Sequence, residues 1–330
     1  MVGPGALGDG NAGPDAVPPA AVPARLSESV PDRVSESAPG QSSESVPGQS
    51  SESVPDVVRV RLDIAYDGTD FSGWAVQPER RTVAGVLTDR LDRMFGGPGA
   101  AIGLTVAGRT DAGVHASGQV AHVDLPAPAW EALEATLLRR LTGLLPPDVR
   151  VRAVAPAPEG FDARFAALSR RYTYRVADGP GGADPLRHRD TLSWPRPLDE
   201  VAMNEASAGI VGLHDFAAFC RRKENAGTVR EVKRFDWVRD ESDVLVGTIV
   251  ADAFCQQMVR SLVGAVIAVG EGRRPPEWPM SLLTRTDRAS EVVVAPPHGL
   301  NLVEVTYPPD ADLAARATLT RNRRTLTLSE

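Results

Sequence analysis

Short stretches of the chain alternate polar and apolar residues, and this period of two predicts half-buried β-strands. The predicted strands lie at 59–66, 119–125, 171–176, 229–238, 244–252 and 302–307. The fourth and fifth flank four polar residues at 240–243, which is typical of a hairpin.

Other stretches repeat apolar residues every three or four positions, which predicts helices that bury one face. The predicted helices lie at 82–95, 130–141, 199–211 and 254–269. Glycines at 96–97 and at Gly270 are placed to end the first and the last of them. Strands interrupted by helices, with a hairpin instead of regular βαβ units, favour an α+β fold with antiparallel sheets over a doubly wound parallel sheet.

The first part of the chain has a different character. The unit Ser-Glu-Ser-(Val/Ala)-Pro recurs every eight residues from Ser27 to Pro55. So short a unit, with one apolar residue and one proline, cannot bury a core, whereas solenoid repeats run to about 20 residues or more. We expect a disordered low-complexity tail at 1–56, two similar α+β domains at 57–160 and 161–310, and a C-terminal tail at 311–330.

Composition places the chain among ordinary soluble globular proteins, with 42% hydrophobic and 24% charged residues. No stretch reaches the roughly 18 apolar residues of a membrane span, and no secretory signal is visible, so we expect a cytoplasmic protein. Cys220 and Cys255 have neither a metal-ligand spacing nor further cysteine partners, so we expect no zinc site and no disulfide framework.

Charge leaves an RNA partner undecided. The net charge is −7, but residues 1–55 hold seven acidic and two basic residues and so contribute −5 of it, which leaves −2 for the rest of the chain. A nucleic-acid partner normally leaves a basic footprint, and a local one is possible at this balance without being required by it.

One loop carries candidate chemistry. Residues 107–115 read Ala-Gly-Arg-Thr-Asp-Ala-Gly-Val-His, in which two glycines bracket Arg109 and Asp111. Glycines allow a backbone to approach a ligand closely. Because Asp beside Gly is also ordinary turn chemistry, composition alone favours a solvated surface turn.

Four segments, taken in order, resemble the motifs of the tRNA pseudouridine synthase A (TruA) family. They are Tyr-Asp-Gly-Thr-Asp-Phe-Ser-Gly-Trp at 66–74, Gly-Arg-Thr-Asp-Ala-Gly-Val-His at 108–115, Ala-Arg-Phe with Arg-Arg-Tyr-Thr-Tyr at 163–174, and Phe-Cys-Gln-Gln-Met-Val-Arg-Ser-Leu-Val-Gly at 254–264. The resemblance covers the chain from about 57 to about 308.

The resemblance implies a fold and a reaction. Two similar domains would join their antiparallel sheets side by side, with helices packed on one face and the active cleft between them. The enzyme would isomerise uridine to pseudouridine at positions 38 to 40 of the tRNA anticodon stem-loop, as a homodimer, without metal or small-molecule cofactor and without a membrane.

The resemblance also implies roles for individual residues. Asp111 matches the nucleophile, whose attack on C6 of the base or on C1′ of the ribose is left open. Arg109 matches an arginine that pairs with the aspartate or with a backbone phosphate. Tyr172 matches the tyrosine that stacks on the target uracil, although its alternating strand also fits a core aromatic, and Leu302 is expected to border the uracil pocket. His115 matches the family too, with loop structure as its simplest role.

Arg260 is a candidate on physical grounds as well. It is the only formal charge between Phe254 and Val269, in a segment that is otherwise almost wholly apolar. Burying it without a partner would cost several kcal/mol, so we expect one. A structural salt bridge or a side chain that extends to solvent satisfies that need equally well, whereas the family match favours a catalytic arginine near Asp111.

Two other functions are weighed against this interpretation. An RNA-binding module without catalysis, such as a tRNA folding chaperone, has no reason to keep Asp111, Arg109 and Tyr172 together. A glycoside hydrolase usually needs a pair of carboxylates, and the loop offers only Asp111.

Overall fold

In a computed structural model of the chain, the structure describes residues 56–97, 99, 102–221 and 227–321. The tail expected at 1–56 therefore lies outside the described residues except for Asp56, as does 322–330 of the expected C-terminal tail. The proposed division at about residue 160 stays a prediction.

Within the described residues, ten strands form one mixed sheet. They are β1 (Val57–Tyr66), β2 (Ile102–Val106), β3 (His115–Pro126), β4 (Val149–Pro156), β5 (Ser169–Ala177), β6 (Leu192–Ser193), β7 (Gly212–Asp215), β8 (Val229–Arg239), β9 (Leu245–Ala251) and β10 (Leu300–Thr306). The order is β4-β1-β3-β10-β5-β9-β8-β7, with β2 beside β3 and β6 beside β5. All six predicted strands are confirmed; β4, which also alternates, was not predicted, and nor were the short strands β2, β6 and β7.

The sheet consists of two antiparallel groups joined by one short parallel contact. On one side β3 pairs with β1, and on the other β10 pairs with β5, both antiparallel. Between them, β10 pairs with β3 in parallel over two residue pairs, Asn301 with His115 and Leu302 with Ala116. We call this contact the seam. The α+β class with sheets joined side by side is thereby confirmed, and the candidate loop at 107–115 runs directly into the seam.

In the part of the chain that the structure describes, six α-helices accompany the sheet. They are α1 (Val83–Phe95), α2 (Ala127–Leu144), α3 (Glu200–Ala208), α4 (Met258–Gly270), α5 (Trp278–Ser281) and α6 (Leu313–Arg321). Thr82 caps α1 through its hydroxyl, which accepts from the backbone of Gly85, and Gly96 ends the helix in the left-handed conformation at φ 112°. Helix α2 packs on β1, β3 and β4, and α3 packs on β8 and α4.

Three expectations about these segments need correction. The helix expected at 199–211 ends at Ala208, because the chain turns there into β7. The helix expected from 254 begins at Met258, since Gln257 has a positive φ of 66° that is incompatible with a right-handed helix. Cys220 and Cys255, for which no disulfide was expected, are joined by one, which connects the segment before α4 to the turn after β7.

Buried apolar residues form the core between sheet and helices. On β1 the side chains of Val60, Leu62 and Ile64 are fully buried, while the residues between them are partly exposed. Helix α4 is buried along almost its whole length, apart from Arg260. Among the described helices, none is both long enough and apolar enough to cross a lipid bilayer.

Candidate active site

The carboxylate of Asp111 and the guanidinium of Arg260 face each other. Nη1 of Arg260 lies 3.7 Å from Oδ2 of Asp111, and the side chains are 15% and 28% exposed. Burial lowers the pKa of Arg260, and the charge of Asp111 opposes that effect. Nε of Arg260, on α4, also donates to the carbonyl of Ala295 at 2.7 Å. This hydrogen bond holds the guanidinium against the segment that precedes β10. The partner expected for this costly charge is therefore Asp111.

Two strands at the seam place the predicted uracil-binding residues side by side. Leu302 on β10 pairs directly with Tyr172 on β5 and, on its other side, with Ala116 of β3. Leu302 is fully buried, and Tyr172 is 7% exposed with its ring meeting that of Phe254 edge to face at 5.2 Å. Burial raises the pKa of Tyr172 far above that of an ordinary phenol, and the nearby Asp111 carboxylate adds to the rise. Tyr172 is thus a neutral aromatic surface near Asp111.

Arg109 is arranged differently. Its side chain is exposed, and no ion pair within the described part of the chain involves it, since Asp111 pairs with Arg260 instead. Of the two roles that the resemblance implies, the one toward a backbone phosphate is open to an exposed guanidinium. Its assignment to the site stays a prediction.

The first of the four motifs, at 66–74, holds the loop at 107–115, which we call the catalytic loop, through backbone hydrogen bonds. The N–H of Trp74 donates to the carbonyl of Thr110 at 3.1 Å, and the N–H of Gly113 donates to the carbonyl of Phe71 at 3.2 Å. Gly73 has a φ of 92°, and a Cβ there would lie 2.9 Å from the carbonyl oxygen of Thr110. The two loops therefore approach so closely that only glycine fits between them.

A buried chain of side-chain hydrogen bonds fixes the same loop from below. The amide nitrogen of Gln119 donates to the carbonyl of Gly108 at 2.8 Å and to the hydroxyl of Tyr66 at 3.2 Å. The same hydroxyl forms a hydrogen bond with Oγ1 of Thr110, 2.8 Å away, in which either oxygen can donate. Burial raises the pKa of Tyr66 to about 12, so the phenol stays protonated at neutral pH. Residues on both sides of Arg109 are held by this chain.

Arg170 holds the start of the loop. It is 6% exposed, and its guanidinium donates to three backbone carbonyls: Asp252 at 2.6 Å, Ala107 at 2.8 Å and Arg164 at 2.7 Å. Burial lowers the pKa of this arginine. Because one guanidinium binds carbonyls of three separate segments, it fixes the distances between those segments.

Sequence reasoning did not assign roles to Tyr66, Gln119 or Arg170. The sequence does indicate that Arg170 is buried. It lies two and four positions before Tyr172 and Tyr174 on an alternating strand, so its side chain is on the same, buried face. Tyr66 and Gln119 carry the same signal, since Tyr66 shares the buried face of β1 with Leu62 and Ile64, and Gln119 shares that of β3 with Ala121 and Val123. Their hydrogen-bond partners lie on other segments and are set by strand pairing.

Comparison with known proteins shows the family of this chain. The family model described as tRNA pseudouridine synthase matches residues 206–308. A tRNA pseudouridine synthase A of Frankia casuarinae is 59% identical over 265 residues, which cover 80% of this chain and 95% of the relative. Those of Streptomyces griseus and Mycobacterium leprae are 58% and 51% identical and cover 82% and 81% of this chain, with 95% and 96% of their own lengths.

The mixed fold and these matches define the class as pseudouridine synthases, which are isomerases. More specifically, the chain belongs to the tRNA pseudouridine synthase A family. The resemblance seen in the sequence is therefore confirmed.

Proposed function

We propose that this enzyme isomerises uridine to pseudouridine at positions 38 to 40 of the tRNA anticodon stem-loop, and that Asp111 is its nucleophile. Arg260 pairs with the nucleophile, Arg109 contacts the RNA backbone, and Tyr172 and Leu302 bind the target uracil. tRNA is the partner, and the cytoplasm, where tRNA is located, is the proposed site of action.

The observation that carries this proposal is the ion pair between Asp111 and Arg260 at the seam. The pair joins a loop before β3 to a helix of the other half of the chain, and Tyr172 and Leu302 lie on the strands next to it. A carboxylate is a group that can act as a covalent nucleophile, and a guanidinium faces it here. Facing Asp111 is a guanidinium, not the second carboxylate that glycoside hydrolysis usually requires.

The reaction needs no external reactant. Asp111 forms a covalent bond to the nucleoside, the bond between N1 and C1′ breaks, and the base turns so that C5 joins C1′. C5 then loses its proton to solvent, N1, which carried the ribose and no proton in uridine, takes up a proton, and the bond to Asp111 is released. Arg260 stabilises the charge that returns to the carboxylate. The neutral ring of Tyr172 offers a surface on which an uncharged base can stack.

Release of tritium from tRNA labelled at uracil C5 tests the proposal. Wild type should release tritium from the anticodon arm, whereas Asp111→Asn, which keeps the shape of the side chain, should release none while its tRNA affinity stays within about tenfold. Asp310→Asn, at an exposed aspartate before α6, is the matched control and should behave as wild type. Substantial turnover by Asp111→Asn would refute the nucleophile assignment.

The same assay separates the alternatives. A folding chaperone binds tRNA without releasing tritium, and a glycoside hydrolase leaves the C5 bond intact while freeing the base. Digestion of the product to nucleosides then shows pseudouridine only if the C5 bond to the ribose has formed.

A homodimer is the second part of the proposal. Three large apolar side chains near the outer strand β7, namely Val211, Leu213 and Met280, are between 42% and 50% exposed. Apolar surface beside an unpaired sheet edge supports association with a second copy. Light scattering should give twice the chain mass of 35.1 kDa, and a mass equal to that of one chain would contradict it.

A further inference from the structure

A loop from the second half of the chain is attached to the catalytic loop. We call residues 184–190, between β5 and β6, the rim loop. The carbonyl oxygen of Arg189 lies 2.8 Å from Nε2 of His115, four positions after Asp111. The guanidinium of Arg189 also reaches Asp67, in the first motif, at 3.1 Å. The rim loop is thus fixed to both segments that build the nucleophile's surroundings.

His115 joins these segments in one defined tautomer. The N–H of Gly68 donates to Nδ1 at 3.0 Å, so Nδ1 carries no proton. The carbonyl of Arg189 can only accept, so Nε2 carries the proton and donates. Oδ1 of Asp67 is 3.2 Å from Nδ1, but that nitrogen is already an acceptor, so this contact is no hydrogen bond. The ring is 6% exposed and bridges the first motif and the rim loop.

The rim loop holds its tip in a defined shape. The N–H of Leu186 donates to the carboxylate of Asp184 at 2.7 Å, and that of Arg187 donates to the carbonyl of Asp184 at 2.8 Å. The guanidinium of Arg187 donates to both carboxylate oxygens of Asp190, from Nε to Oδ1 and from Nη2 to Oδ2. As a result the side chain of Leu186 is 91% exposed, more than any other large apolar side chain among the described residues.

A single exposed leucine on a protein surface is ordinary, so its position decides the question. Leu186 is followed by three exposed side chains that are basic or can become so, Arg187, His188 and Arg189. The arginine side chains are 51% and 53% exposed, so N–H groups that their carboxylate partners leave unused can contact phosphates. An apolar tip with cationic neighbours has the chemistry of a wedge that enters between bases.

We propose that the rim loop is an RNA-binding element, in which Leu186 enters the anticodon arm beside the target uridine while Arg187 and Arg189 contact the flanking phosphates. This inference rests on the proposed function, because an enzyme that reacts with a base in a stem must take it out of the stack. Leu186 keeps the neighbouring bases apart while the uridine occupies the cleft. His115 is a positioning residue that sets the distance between this wedge and Asp111.

A base-stacking reporter tests the wedge directly. tRNA carrying 2-aminopurine next to the target uridine brightens when that neighbour loses its stacking partner. Wild type should raise the fluorescence on binding, and Leu186→Ser should at least halve that rise and lower kcat/KM about tenfold, with an unchanged melting temperature. Leu186→Met should restore both values. Leu319→Ser on α6, at a leucine that is 66% exposed, is the matched control and should match wild type.

Two variants of His115 separate its two hydrogen bonds. Gln places an amide nitrogen near the position of Nε2 and keeps the bond to Arg189, whereas Asn keeps an acceptor near Nδ1 and loses that bond. The fluorescence rise should therefore survive in His115→Gln and fall in His115→Asn. Equal loss in both variants would refute the anchoring role of His115.

The outcomes keep this inference apart from the proposed function. If wild type releases tritium and Leu186→Ser equals wild type in fluorescence and kcat/KM, the wedge is wrong and the enzyme assignment stands. If wild type releases none, the proposed function fails first.

Discussion

Arg260, on the buried helix α4, places its Nη1 atom 3.7 Å from Oδ2 of Asp111, in a loop of the other half of the chain. Neither side chain has this environment within its own half. The site is therefore complete only when the two antiparallel groups of strands meet at the seam, and stability and activity are linked through the same contacts.

Replacing Arg260 by Met should lower kcat by at least about 100-fold, because the carboxylate loses the charge that stabilises it in the reaction. Arg260→Lys keeps a charge but loses the bond to Ala295, so a smaller loss is expected. Single-turnover tritium release measures both. Arg273→Met, at an exposed position in the turn after the same helix, should leave the rate unchanged, and a wild-type rate in Arg260→Met would contradict the role of the pair.

Tyr66→Phe should reduce both stability and rate. It removes the hydroxyl between Gln119 and Thr110 and leaves two buried polar groups short of a partner, which costs about 1–3 kcal/mol. Urea unfolding measures the loss of stability, and single-turnover assays measure the rate.

Tyr307→Phe is the control for that variant. Its partly buried hydroxyl donates to the carbonyl of Ala163 at 2.7 Å, which is not part of the loop at 107–115. It should lower stability to a similar extent and leave kcat unchanged. If both variants lower stability alone, the hydrogen-bond chain does not position the loop.

Stability should fall as the pH drops below about 6.5. Nδ1 of His122 accepts from the N–H of Ala163 at 3.0 Å, and burial, aided by Arg59, lowers the pKa of His122 against the opposing charges of Asp162 and Asp124. The unfolded chain then takes up a proton at a higher pH than the folded chain does. The stabilisation that neutral His122 contributes is complete above the pKa that this histidine has in the unfolded chain. It is lost as the pH falls toward the lower pKa that His122 has in the folded chain.

Urea midpoints at pH 7.5 and 5.5 measure this effect. Replacement of His122 by Asn, which keeps an acceptor for Ala163 and does not titrate, should reduce the difference between the two midpoints. Arg59 holds the pKa of Asp124 below the ordinary range, so the contribution of Asp124 to stability is lost only at lower pH. It does not hide the effect of His122 between pH 7.5 and 5.5. If the difference between the two urea midpoints is unchanged in His122→Asn, groups other than His122 cause the loss of stability.

Gly68→Ala should disrupt the catalytic loop. A Cβ at Gly68 would lie 2.0 Å from the carbonyl oxygen of Val114, and that backbone is held on both sides. The variant should lose activity and melt at a lower temperature. Gly143→Ala in α2 meets no atom within 4 Å and should be neutral or stabilise the protein by up to about 1 kcal/mol, which thermal unfolding checks.

Much of the architecture is predictable because it depends on local pattern. The alternation in β1 and the stripe in α1 predict both elements within about two residues, and the hairpin of β8 and β9 follows from its polar turn. Helix α4 is the exception. Apolar content predicts helix from Phe254 onward, but residues 254–257 form an irregular segment and a turn next to Tyr172 and the disulfide, since tertiary contacts override propensity there.

The candidate site also has a part that the sequence predicts and a part that depends on tertiary contacts. The sequence by itself determined the candidate residues around Asp111 and the need of Arg260 for a partner, because the motifs are contiguous and a charge in an apolar helix is costly wherever it lies. Only the tertiary structure decided that the partner is Asp111, that Leu302 lies between Tyr172 and Ala116, and that His115 joins the rim loop to Gly68 in the first motif. These are contacts between distant segments, and strand pairing at the seam sets their distances, which no local pattern encodes.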